Sequence, residues 1–231
     1  ISGVSGTVAI DATGTTTIAA AGDISAGGAV TFGAAKAGTL TTSGDVTTTD
    51  DDVTFTNAVT LGGAVSIDTG GVAAGNILFS STVGTAGNNL TLDAGPAGNV
   101  TLSGALSGGG DLTVTDGAVQ AYGALTVNSI DIQDATTSVT LGGAVASTTT
   151  IGINSGGTIV QNGAITSATT VDLDAASTIG LNAAISGVSG TVAIDATGTT
   201  TIAAAGDISA GGAVTFGAAK AGTLTTSGDV T

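Results

Sequence analysis

The side chains that could do chemistry are few and of one kind. All 17 acidic residues are Asp, no His, Glu, Arg or Cys is present, and the only basic groups are Lys36 and Lys220. The run Asp50, Asp51, Asp52 places hard oxygen donors together ahead of the strand-like VTFT, and carboxylates at a turn suit calcium. Its spacing fits neither the twelve-residue EF-hand loop nor a Gly-rich calcium roll, so a solvated corner is the competing reading. Asp172 and Asp174 are a carboxylate pair of the sort that acid and base catalysis uses. They flank Leu173, so they should face outward into solvent, and with no His, Cys, Glu or Arg at hand no enzymatic role is expected.

Asp11, Asp68, Asp93, Asp116 and Asp131 each adjoin an inward residue near a strand end. If they stack about 5 Å apart, neighbours repel by roughly 1 kcal/mol in water, which divalent cations would relieve. Apart from calcium in that role, no cofactor is expected. Lys36 lies in FGAAKAGT, which reads as a solvent-facing corner; an isopeptide cross-link there lacks its usual buried acid. The TTT runs at 15–17, 47–49, 148–150 and 199–201 skip most of the chain, too sparse for the regular Thr ranks that order ice. Asn89-Leu90-Thr91 and Asn99-Val100-Thr101 have the spacing of sugar-acceptor triplets.

The elements that must carry these groups are short. TVAIDA (7–12), AVTFGA (29–34), DVTFTN (52–57), NVTLSG (99–104) and DLTVTD (111–116) alternate apolar and small polar residues with the period of a strand, and Gly-rich corners separate them. Abundant Val, Ile and Thr, without Glu, Arg or Met, leave nothing helical. Anchors recur at about 20 residues: Ile130, Ile151, Val171 and Val192 form one series, Val139, Ile159 and Ile179 a second between them. Such a lap stacks like positions above one another, which predicts an all-β parallel β-helix, a solenoid of about 20 to 23 residues per coil with at least two strands in each.

Residues 1–47 and 185–231 are identical, so the chain samples a tandem array with a 184-residue unit: 1–184 is one complete module and 185–231 begins the next. Division by nine gives about 20.4 residues per coil and by eight gives 23, hence an advance of roughly 38 to 43 Å per module. The short interval from Ile179 to Val192 fits neither anchor series.

A net charge of −15 with two lysines excludes nucleic acid and anionic lipid, both of which are gripped by Lys and Arg. No apolar run is long enough to form a membrane-spanning helix. A hydrophobic fraction of 42% argues against a disordered acidic tail. Absence of Cys removes disulfides from the argument.

GNVTLSGALSGGGDLTVTDGAVQAYGALTVNS (98–129) and SVTLGGAV (138–145) resemble bacterial surface proteins of the filamentous-haemagglutinin and "β-strand repeat" type, and the likeness runs over essentially the whole chain. That resemblance implies a right-handed solenoid, secreted or held at the cell surface, serving as a stalk, matrix fibre or adhesin. The expected function is mechanical: an extracellular filament in which neighbouring repeats or further copies stack end to end and bundle laterally. An adhesin whose outward Thr, Asn and Asp ranks bind glycans or other cells is the alternative, followed by ice or mineral binding.

Overall fold

The computed structural model describes all residues except Ala74, Ser167 and Ala168. The chain is all-β, with no helix among the described residues, and winds as a parallel β-solenoid of about ten coils of ~21 residues. Each complete coil carries three strands, so the solenoid has three faces. The first face stacks Ile24, Val46, Ile67, Leu92, Val114, Ile132, Ile153, Leu173, Ile194 and Phe216 in parallel register. The second stacks Val8, Val30, Val53, Ile77 and Val100 and continues through Gln120, Val139, Ile159 and Ile179 to Thr200. The third stacks Leu40, Val59, Val83, Leu106, Leu125, Val145, Ile165, Ile185 and Ile208. Strands Leu112–Tyr122 and Ile130–Leu141 run round the corner from the first face to the second, joining both into one 19-stranded sheet, and the third face is a separate 10-stranded sheet.

The two anchor series of the sequence are the first and second faces. The short interval between Ile179 and Val192 holds the third strand of that coil, Ile185–Val188. Alternation drives all of this: inward Val, Ile and Leu are nearly inaccessible, while the residues between them point to solvent. Summed along the axis, the narrow aliphatic seam supplies the hydrophobic term that a thick globular core would otherwise provide.

Several inward positions break the aliphatic pattern, Gln161 and Thr200 among them, and aromatic rings occupy others. Phe32, Phe55 and Phe79 stack face to face on consecutive coils of the second face, with ring centroids 4.8 and 4.4 Å apart. One coil beyond Leu102, Gln120 and Tyr122 point inward in place of aliphatics. The Tyr122 hydroxyl donates to Gln120 Oε1 at 2.6 Å, and Gln120 Nε2 donates to the Asp134 carbonyl at 3.2 Å. Burial holds the Tyr122 phenol far above its ordinary range, so it stays a donor. Tyr122→Phe, which strips Gln120 Oε1 of its partner, should cost about 1–3 kcal/mol in urea unfolding; the double variant with Gln120→Leu should recover most of that loss.

The repeated segment keeps its local pairings but changes face. Val8 pairs with Val30 on the second face, and its copy Val192 pairs with Val214 on the first. Thr16 and Leu40 are partners on the third face, their copies Thr200 and Leu224 on the second. A module is therefore neither eight coils nor nine. Eight steps separate Ile24 from Ile194 on the first face, and Ile10, the earlier copy of Ile194, sits two strands before Ile24. The module is eight coils and two strands more, an advance of about 42 Å at ordinary strand spacing.

Candidate functional surface

The corner before each strand is where the polar side chains gather. Asp23, Asp45, Asp52, Asn76, Asn99 and Asp111 each stand immediately before a strand, and their side chains reach to the coil above. Asp23 Oδ1 accepts from the Asp45 N–H at 2.9 Å, and Asp45 Oδ1 from the Ser66 N–H at 2.7 Å. Asp52 Oδ1 accepts both the backbone N–H and the Nδ2 of Asn76 at 2.8 Å; Asn76 Oδ1 does the same for Asn99 at 3.0 Å; Asn99 Oδ1 accepts from Val119 N–H at 3.1 Å. These ladders satisfy backbone donors that the turn takes out of the sheet. Asn99, the first residue of a sugar-acceptor triplet, is thus tied on both sides.

The run Asp50–Asp52 lies at such a corner. Asp50 adopts a left-handed conformation (φ 60°), which Asp tolerates, and its Oδ1 accepts from the N–H groups of Val72 and Ala73 at 3.1 and 2.9 Å. The Asp51 carbonyl receives the Thr48 hydroxyl. Two of the three carboxylates are thus engaged with the coil above, and among the described residues no group of three acidic side chains converges as a set of metal ligands.

An acidic rank interrupted by Asn154 does form elsewhere, at the end of the first face. Asp68, Asp93 and Asp116 stack in register, Asp134 follows beside Asp116, and Asn154, Asp174 and Asp195 continue the line. Asp11 is the earlier copy of Asp195, whereas Asp131 lies on another rank, between Thr113 and Gly152. Lys220 reaches back two coils to pair with Asp174 of this rank, a contact across the module boundary. Its copy Lys36, which reads from its sequence neighbours as a solvated corner, is exposed, and the Lys36 carbonyl accepts from Asn57 Nδ2 at 2.6 Å.

Two carboxylates answer oppositely to pH. Hydrogen bonds from Ser129 and Asn128 hold Asp111 below the ordinary carboxylate range, so its contribution to stability is present above the unfolded pKa and fades as pH falls through the lower folded value. Partial burial, then repulsion from Asp134 and Asp93, raises Asp116, whose Oδ1 is buried without a partner. Its protonated form is favoured in the fold, so stability is present below the unfolded pKa and lost as pH rises through the raised folded value. Asp116→Asn should therefore raise Tm at pH 7 by about 1–3 °C and give no gain at pH 3, which paired thermal melts would read.

Asp172 and Asp174 face outward as their spacing requires, and Asp172 is raised by partial burial, then by Asp174 and Asp195. With Asp131, Gln133 and Asn154 they line a shallow groove floored by Gly152. The outward ranks are mixed: on the third face Thr41 and Thr60 are followed by Gly84, Ser107, Thr126 and Ala146. Fold and surface together define a parallel β-solenoid in which residues 1–47 recur as 185–231. No protein-family model, curated protein or solved structure matches this chain.

Proposed function

We propose that this chain is a structural segment of an extracellular, tandem-repeat solenoid whose work is mechanical, forming a thin fibre or stalk at the cell surface. The observation that carries the reading is the junction between modules: Val171 pairs with Val192, Ile179 with Thr200 and Ile185 with Ile208, so the second module continues the first module's coil without a break. Parallel ladders running along the axis place many backbone hydrogen bonds in the line of tension. The scarcity of Lys and the lack of Met and Cys suit a long-lived material outside the cell. Electron microscopy tests it: arrays of increasing module number should be single unbranched rods that lengthen by about 42 Å per module, and flexible strings of beads would refute the reading. Glycan binding in the groove of Asp131, Gln133, Asn154 and Asp172 is the second reading, favoured by the open line of polar groups there. Saturable binding on a glycan array, lost in Asn154→Ala, would establish it.

A further inference from the structure

The two identical segments differ in what covers them. In the first copy Leu40 and Val46 are 4% and 1% exposed, beneath Val59 and Ile67 of the next coil, and Phe32 stacks on Phe55. In the second copy Leu224 and Val230 are 46% and 41% exposed, and Phe216 is half-buried with no ring upon it. The local pairings beneath are the same, but they stand on different faces: Val8–Val30 on the second and Val192–Val214 on the first, Thr16–Leu40 on the third and Thr200–Leu224 on the second.

We infer that each successive module of the array is turned about the fibre axis by a third of a revolution relative to the one before. The inference rests on the fibre reading and gives that fibre a symmetry. A module holds 26 strand positions, eight coils of three and two besides. Two left over from a set of three means that corresponding residues move to the neighbouring face at each repeat, as Val8 and Val192 do. Only after three modules does a residue return to its original face. The sequence period is thus about 42 Å and the structural period about 125 Å. Every outward feature, the Lys220–Asp174 pair and the Asp131–Asp172 groove included, recurs on the three sides in turn. A one-sided binding face cannot accumulate along such an array; partners meet equivalent surfaces all round it.

The test retains all 231 residues and extends them in frame after Thr231 with two further copies of residues 48–231. Cryo-electron microscopy should show a continuous rod in which equivalent corners repeat every ~42 Å with a turn of about 120°, apart from the gradual twist that sheets carry. A continuous rod with those corners along one side overturns the screw relation and leaves the fibre reading standing. Separate globules overturn both. Hydrogen exchange gives a second readout: amides of Thr223–Thr226, at the edge in the 231-residue chain, should slow by about 100-fold on extension. Unchanged exchange overturns the continuous stacking on which the turn depends.

Discussion

Phe55→Ala is expected to destabilise the solenoid by about 3–5 kcal/mol, whereas Phe216→Ala should cost under about 1 kcal/mol. Phe55 is the middle ring of the Phe32–Phe55–Phe79 stack and is 1% exposed, so truncation opens a cavity that the coils on either side cannot close without breaking their register. Phe216 has the same neighbours in sequence as Phe32 but lacks the ring above. Phe32→Ala should therefore fall between the two, losing one stacked face. Urea midpoints of the three variants measure the series; a penalty at position 216 equal to that at position 55 would mean that the stack contributes nothing beyond burial of the individual ring. Extending the chain by a further module should raise the cost at position 216 to that at position 32, because the cover then becomes the same.

The parallel solenoid could be read from the sequence because its two main faces are long and strictly alternating. Val8, Val30 and Val53, or Ile130, Ile151, Val171 and Val192, recur at the lap length, and each does pair with the next. The third face has no such signal because its strands are as short as Leu106–Ser107 and Ile165–Thr166, too short to display a period. Its spacing also wanders: the lap from Val59 to Val83 is longer than the lap from Leu106 to Leu125, since corners absorb insertions without disturbing the ladders. The repeat length is not divisible by a whole number of coils for a separate reason: the module is eight coils and two strands. The outward placement of Asp172 and Asp174 followed directly from alternation. The pairing of Lys220 with Asp174, two laps apart along the chain, carries no local signal; only that spacing could have suggested it. The corner ladders did leave a trace, an Asp or Asn immediately before strand after strand, as at Asp23, Asp45, Asp52, Asn76 and Asn99. A side chain in that place competes for backbone donors, and Asp52 and Asn99 accept from the N–H groups of Asn76 and Val119 in this way.

Gly163→Val is expected to be among the most damaging changes at a corner, costing about 3 kcal/mol, near the top of the range for overpacking. Stacked coils approach at ordinary strand spacing, and at this corner a Cβ on Gly163 would lie within the van der Waals envelope of the Gly143 carbonyl beneath it, a backbone group with no rotamer to swing aside. Relief requires the two coils to separate, and that strains the ladder between Ser138–Leu141 and Thr158–Gln161 on one side and the pair Val145 and Ile165 on the other. Gly163→Ala should show the same effect in smaller measure. Gly180 supplies the control: it sits within the strand Ile179–Leu181, a Cβ there meets nothing within 4 Å, and the backbone is not left-handed. Gly180→Ala should stabilise by about 0.5–1 kcal/mol by restricting the unfolded chain. Amide exchange locates the damage: loss of protection confined to the coils around 140–165 in Gly163→Val follows from a quasi-one-dimensional molecule whose contacts pass only between neighbouring coils. Uniform loss along the whole chain would instead require cooperativity that nearest-neighbour stacking does not provide.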